Sequence, residues 1–220
     1  MYKPIKSHGL LAAVLCTAFA GCASVEPVAY SGLASASYLK HDLNDKSGRV
    51  PYSFSTDVDW HKYTKLIFDP VVVYRGSDNQ FGEMSERDRA SLAKFAEAKF
   101  TEKLRTRFDL TKVPSQDTLR VKMTLTGAST TTAVIGPLSR FDIAGGLYNG
   151  VQTVRGREGA FTGSVTYAVE IYDASTDRLL RAYVTKQYPS PYNIGASFGS
   201  LSASETGIEK GADSLVAQLR

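Results

Sequence analysis

Alternation of hydrophobic and polar residues marks the strands of this chain. From Thr118 to Thr126 every second residue is apolar, and the residues between them are charged or hydroxylated. The same period of two returns over Ser164–Asp173, and after a short polar stretch Leu179–Tyr188 follows as the returning strand. This period predicts three half-buried strands, the last two joined as a hairpin. The run Lys65–Tyr74 is rich in β-branched and aromatic residues and predicts a further strand, with Pro70 at a bulge or an edge.

Two other stretches carry apolar residues at helical spacing. Ser85 can cap the first helix, with Asp88 three residues later as in a capping box. The apolar stripe that follows consists of Leu92, Phe95, Ala96, Phe100, Leu104 and Phe108. The last helix opens near Ser204, and its stripe consists of Ile208, Ala212, Leu215, Val216 and Leu219.

This order of elements predicts an α+β fold. We expect a mainly antiparallel sheet of about four to five strands, with two helices packed on one face. The strands on either side of the first helix should be parallel, because a helical crossover joins them.

The start of the chain follows a different pattern. Lys3 and Lys6 precede the apolar run Leu10–Cys22, which is typical of a secretory signal. The run is too short for a membrane-spanning helix, which needs roughly 20 apolar residues. Its end, Phe19-Ala20-Gly21-Cys22, resembles a bacterial lipobox. That resemblance implies cleavage before Cys22 and lipidation of its sulfur.

The lipobox also predicts how the chain is divided. We expect a lipoprotein signal peptide over residues 1–21, a tether from lipidated Cys22 over 22–37, and a single domain over 38–220. The tether is inferred from small residues without sustained apolar periodicity. Each buried methylene contributes roughly 0.8 kcal/mol, so that several acyl chains together hold a protein durably at a membrane. Ala23 stands where Asp retains enterobacterial lipoproteins in the inner membrane, and by resemblance to that rule it implies the outer membrane.

Composition adds two constraints. Hydrophobic residues make up 43% and charged residues 22%, as in ordinary globular proteins. The formal net charge is +4, and Lys3 and Lys6 supply two of these charges, so the cleaved chain gives little indication of a nucleic-acid partner. Cys16 leaves with the signal, and a lipidated Cys22 would leave no thiol for a disulfide.

Several short motifs together resemble a family of proteobacterial lipoproteins catalogued as domain of unknown function 3313. They are Ser31-Gly32-Leu33, Tyr63-Thr64-Lys65 leading into Asp69-Pro70-Val71, the helix from Ser85, and Val169-Glu170-Ile171-Tyr172-Asp173 with Thr176 and Leu179-Leu180. The likeness covers most of the chain after Cys22. It implies a periplasm-facing lipoprotein domain, and it implies no catalytic residues.

Asp57, Asp59 and His61 form one group with possible chemistry. They alternate, so an extended chain would present all three on one side. One hypothesis is a hydrolase or a metal site, because carboxylates and imidazole are metal ligands. The other, which we favour, is turn chemistry in which the carboxylates bind nearby backbone amides.

Glu170 and Asp173 form a second group, at the predicted hairpin. Paired carboxylates can perform acid–base chemistry if one of them is buried. Alternation places Glu170 on the face opposite Val169 and Ile171, so we expect its carboxylate to be solvated. Asp173 is typical of a turn.

Four aromatic residues lie among glycines in the remaining long stretches: Phe141, Tyr148, Tyr192 and Phe198. Exposed aromatic side chains on loops indicate a partner-contact surface, although the same residues could instead cover a sheet face. The sequence thus predicts a lipid-anchored, non-enzymatic binding or assembly module for an envelope protein or glycan, with neither cofactor nor metal. The alternative is an envelope hydrolase that uses Asp57, Asp59 and His61.

Overall fold

A mixed sheet of eight strands forms the centre of the computed structural model, which describes residues 26–43, 45, 47–130, 163–190, 193 and 199–220. The strands are β1 (Lys40–His41), β2 (Tyr52–Ser55), β3 (Lys65–Phe68), β4 (Val72–Val73), β5 (Asp109–Leu110), β6 (Thr118–Ser129), β7 (Ser164–Asp173) and β8 (Leu179–Gln187). Two helices, α1 (Glu86–Leu104) and α2 (Ser202–Gln218), and a 3-10 helix at Trp60–Lys62 accompany the sheet.

The three long strands lie side by side and antiparallel. Across the sheet the order is β1-β2-β8-β7-β6-β3-β5, and β4 pairs with β6 as well. Val121 lies opposite Ile171, and Val169 lies opposite Tyr183, so the alternating apolar residues of β6 and β7 share one face. The predicted strands and their hairpin are confirmed, because a period of two survives wherever one face is buried.

The sheet is larger than we expect from the sequence, and it is mixed. β3, β4 and β5 enter it through parallel pairs, which makes the prediction of a mainly antiparallel sheet of four to five strands wrong. The missed strands β1, β2, β4 and β5 contain two to four residues each. Segments this short cannot show a period of two, and only tertiary pairing defines them.

The predicted strand Lys65–Tyr74 divides at Pro70. Phe68 pairs with Val121 and Val72 pairs with Thr124, so this side of the ladder has one residue more than β6. The extra residue is a bulge that accommodates the proline, which cannot donate to a ladder. The predicted bulge and the predicted parallel crossover through α1 are therefore confirmed.

Both helices pack on one face of the sheet, here called the helix face. Ser85 caps α1 by accepting a hydrogen bond from the backbone N–H of Asp88. The predicted stripes are buried on this face, and they comprise Leu92, Ala96, Phe100 and Leu104 of α1 with Ile208, Ala212, Leu215 and Val216 of α2. Two ion pairs, Lys99–Glu209 and Lys103–Asp213, link the helices. Because the residue numbers rise together along both helices, α1 and α2 run parallel to each other. Within the described ranges, no helix combines the length and the apolar character that crossing a membrane requires.

Residues 26–39, which we call the strap, pack on the opposite face of the sheet. Tyr30 and Leu33 are buried there with Tyr74, Ala168 and Val184 in a second apolar cluster. Residues 26–37, which fall within the predicted tether over 22–37, therefore pack on the sheet, whereas residues 22–25 lie outside the described residues. The sequence does not predict this packing, because the segment consists largely of small residues such as Ala and Ser. The packing depends on two apolar residues, Tyr30 and Leu33.

The strap begins at one end of the sheet. At this end, here called the upper end, Gln80 bridges to Gly127 of β6, Gly127 lies opposite Thr166, and Thr166 lies opposite Lys186. The Gln80 side-chain amide donates to the carbonyl oxygen of Glu26 at 2.8 Å, which fixes the start of the strap at the upper end. The turn between β7 and β8, with the 3-10 helix near it, marks the lower end.

Candidate functional site

A cleft of about 410 Å³ separates the strap from β4. Gly32–Ala34 of the strap form one wall, Val72–Arg75 form the other, and Thr124 and Glu170 line the cleft from the sheet. The cleft is open to solvent on one side. Its walls combine apolar side chains with a few polar groups.

Tyr74 joins the two walls of the cleft. Its hydroxyl accepts a hydrogen bond from the Gly32 backbone N–H at 3.0 Å and donates to Asp78 Oδ1 at 2.8 Å. The other oxygen of Asp78 accepts the Ser31 backbone N–H at 3.0 Å. A Cβ on Gly32 would lie 2.9 Å from the Tyr74 ring, and one on Gly76 would overlap the Tyr74 hydroxyl. Both glycines are therefore required by the close approach of the aromatic ring.

Hydrogen bonds from the strap and from Tyr74 also shift the pKa of Asp78. The Ser31 backbone N–H, and then the Tyr74 hydroxyl, stabilise the ionised form and lower the pKa of the Asp78 carboxyl below its ordinary value. Docking of the strap and ionisation of Asp78 are therefore coupled.

Tyr30 fixes the strap to the sheet. Its side chain is 1% exposed, its hydroxyl donates to Gln80 Oε1 at 2.8 Å, and its ring meets Tyr74 edge-on with centroids 5.5 Å apart. Burial raises the pKa of the Tyr30 hydroxyl to about 12, so it stays protonated and able to donate. The backbone of Tyr30 has φ +45°, an unfavourable conformation for a tyrosine, which the surrounding packing must offset.

Glu170 contradicts the expectation of a solvated carboxylate. The residue is 5% exposed because the strap covers it, and its Oε1 accepts the Ser35 backbone N–H at 2.6 Å. Burial first, and then the charge of Glu170, raise the pKa of the neighbouring Tyr172 hydroxyl to about 12. Alternation predicts the correct face of β7 for Glu170, but it cannot reveal that a segment 135 residues away lies over that face.

Asp173 behaves as the predicted turn residue. Its Oδ1 accepts from the backbone amides of Ser175 and Thr176, and its Oδ2 accepts the Tyr63 hydroxyl at 2.8 Å. Burial opposes ionisation, but the hydrogen bonds from Ser175 and Tyr63 outweigh it and lower the pKa of Asp173 to about 2. Glu170 instead faces the strap, so the two carboxylates do not form a pair.

The group Asp57, Asp59 and His61 lies near the lower end of the sheet. All three side chains are exposed. Asp59 Oδ1 accepts the backbone N–H of His61 at 3.0 Å and caps the 3-10 helix, which confirms the prediction of turn chemistry for Asp59. Where side chains are described, no three His, Cys, Asp or Glu residues approach closely enough to hold a metal ion. The hydrolase alternative thus gains no support from the described geometry.

The predicted lipidation site and partner-contact residues fall elsewhere. Cys22, Phe141, Tyr148, Tyr192 and Phe198 lie outside the described residues. The structure instead reveals a cleft that the sequence does not indicate. Two of the family-like motifs meet there, since Gly32 forms part of one wall and Glu170 lines the cleft from the sheet.

Solved structures resemble this chain only at low sequence identity. No curated protein sequence matches it. The PelC dodecamer from Paraburkholderia phytofirmans shares 11% identity at a TM-score of 0.37, covering 69% of this chain and 88% of that chain. Protein XCC0632 from Xanthomonas campestris, of the DUF330 family model, shares 8% identity at a TM-score of 0.35, covering 71% and 83%. Hypothetical protein CT253 from Chlamydia trachomatis shares 10% identity at a TM-score of 0.34, covering 71% and 95%.

These TM-scores are too low to bear on activity or partners. A family model described as "Protein of unknown function (DUF3313)" matches residues 29–215, which include most of the strap, all eight strands, α1 and most of α2. The chain therefore belongs to the DUF3313 family of proteins of unknown function.

Proposed function

We propose that this protein is a lipid-anchored, non-enzymatic binding module of the bacterial cell envelope, held at the outer membrane and facing the periplasm. Lipidation of Cys22 provides the anchor, and the cleft beside the strap provides the binding surface. The observation that carries the proposal is that Gly32–Ala34, which follow Cys22 after nine residues, form one wall of an open cleft. The proposed anchor and this wall are thus close together along the chain.

The lining of the cleft favours recognition over catalysis. Leu33, Val72 and Val73 contribute apolar surface, whereas Thr124 and Glu170 contribute a hydroxyl and a carboxylate. A few polar groups among apolar walls fix the orientation of a bound group. An envelope protein segment or a glycan that presents hydrogen-bond donors would meet the Thr124 hydroxyl in this lining, whereas one oxygen of Glu170 already accepts the Ser35 backbone N–H.

The aromatic residues of the long stretches belong to the same proposal as a second contact surface. Phe141 and Tyr148 lie between Ser129 and Ser164, and Tyr192 and Phe198 follow β8. The strands that flank these stretches end or begin at the upper end, where the strap also begins. A partner held there could contact both surfaces.

Photo-cross-linking in intact cells tests the binding surface. Val72 lines the cleft and is 57% exposed, so a photo-reactive amino acid at this position should capture a specific envelope partner. Val113 is 70% exposed and lies away from the cleft, which makes it the matched control. Capture from Val72 and not from Val113 would support the proposal. The same products from both positions, or none from Val72, would contradict it.

A further inference from the structure

The distance between the proposed lipid and the folded domain is short. Glu26 is held to Gln80, and only three residues, Ala23, Ser24 and Val25, lie between it and Cys22. A fully extended chain spans about 3.3–3.6 Å per residue, so Cys22 lies within roughly 14 Å of Glu26. If Cys22 carries lipid, the strap must stay close to the headgroups.

Exposed apolar side chains concentrate on the same part of the molecule. Among the described residues, five large hydrophobic side chains are exposed, and four lie in or beside the strap. Val28 and Tyr38 belong to the strap, Leu43 follows it at 86% exposure, and Val72 lies across the cleft. Val113, the fifth, lies away from this group, before the start of β6.

On the opposite side, α1 and α2, both within the described ranges, carry no exposed large hydrophobic side chain, although exposed charged residues such as Lys40 and Arg75 occur on the strap side as well. The outer surface of α1 and α2 carries charged residues, including the ion-paired Lys103 and Asp213. Such a surface would lose hydration against a bilayer, whereas exposed tyrosine, leucine and valine side chains suit the interface between headgroups and acyl chains. The short tether and the distribution of apolar side chains therefore favour the same orientation.

We propose that the strap side of the domain lies against the bilayer that holds the lipid anchor, with the two helices facing away from it. This inference rests on the proposed lipidation of Cys22 and deepens the proposed function. It places the cleft at the membrane surface, so its partner must be reached there. The phospholipid bilayer contacts the exposed apolar side chains around the cleft, and the partner enters the cleft at the membrane surface.

The cysteine content of the chain allows a direct test. After cleavage Cys22 is the only cysteine, and acylation would occupy its sulfur, so one introduced cysteine gives a single labelling site. Lipidated full-length chain carrying Leu43→Cys or Val72→Cys would be labelled with a fluorophore. The controls are Ala98→Cys, on the exposed surface of α1, and Val113→Cys. Vesicles of phosphatidylethanolamine and phosphatidylglycerol with spin-labelled headgroups would supply the quencher.

We expect headgroup quenching at positions 43 and 72 and none above background at positions 98 and 113. Equal quenching at all four positions, or stronger quenching at position 98 or 113, would overturn the orientation. A flexible 20-residue Gly/Ser insertion after Cys22 adds roughly 25 Å of reach and should reduce quenching at 43 and 72. Unchanged quenching would refute the role of tether length.

The intact mass of each labelled sample shows whether Cys22 is acylated. It therefore distinguishes a wrong orientation from a missing lipid anchor. An acylated chain with equal quenching at all positions refutes the orientation and leaves the proposed anchoring intact. A chain whose Cys22 carries no acyl mass refutes the proposed function, and with it this orientation.

Discussion

Replacing Tyr30 with alanine tests whether the strap is an integral part of the domain. Tyr30 is buried between the strap and the sheet, and it contacts Tyr74 and Gln80. The substitution removes a buried aromatic side chain, a tyrosine–tyrosine contact and one hydrogen bond. Tyr30→Phe removes the hydrogen bond alone, and Tyr38→Ala removes a half-exposed aromatic side chain from the same segment.

The expected costs follow from burial. Truncating a large buried aromatic side chain costs roughly 3–5 kcal/mol of folding free energy. Loss of the Tyr30–Gln80 hydrogen bond costs about 0.5–1.5 kcal/mol. For Tyr38, whose ring lies 5.2 Å from Phe54, we expect about 1 kcal/mol or less. If the strap detaches while the sheet stays folded, the effect of Tyr30→Ala on global stability cannot exceed the free energy of strap docking.

Two assays separate local detachment from global unfolding. Hydrogen exchange measured by mass spectrometry on peptides that cover 27–37 reports the strap, and the denaturation midpoint reports the whole domain. We expect Tyr30→Ala to expose the strap amides strongly, Tyr30→Phe to do so slightly, and Tyr38→Ala to leave them protected. Unchanged exchange of the strap in Tyr30→Ala would refute the packing described for this segment.

Three further predictions follow from the same contacts. Tyr74→Phe removes a hydrogen bond that stabilises the Asp78 carboxylate, so the Asp78 pKa should rise toward its ordinary value in an NMR titration; no change would contradict the bond. Because the pKa of Asp78 is lowered in the folded state, strap docking should be complete above about pH 4 and weaken as the pH falls through the lowered pKa; pH-independent strap exchange would refute this coupling. Asp173→Asn should cost about 2 kcal/mol at neutral pH, since the pKa of Asp173 falls from 3.8 to about 2, and stability from this group should be lost as the pH falls from about 4 to 2; a denaturation midpoint equal to that of the unaltered chain would contradict it.

The elements with sustained periodicity could be predicted from the sequence. The strands of the central hairpin and the apolar stripe of α1 repeat often enough for one buried face to be visible, and Ser85 marks the start of the helix. The short strands could not be predicted, because two or four residues carry no period. Pro70 indicated a bulge correctly, since its missing N–H has the same consequence in any sheet.

The cleft depends on contacts that are distant in sequence. Ser35 and Glu170 meet across 135 residues, and Gly32 meets Tyr74 across 42 residues. Alternation in β7 shows that Glu170 faces away from the helices, but it does not distinguish water from a covering segment. The spacing of Tyr30 and Leu33 is the one local signal for the strap, and it is too short to separate a packed segment from a tether.

Intact-mass analysis of the mature chain isolated from membranes tests the central claim most directly. The account predicts a chain that begins at Cys22 and carries the mass of several acyl chains on that residue. A mature chain with an unmodified amino terminus, or one that begins at another residue, would contradict the proposed anchor and the functions assigned through it.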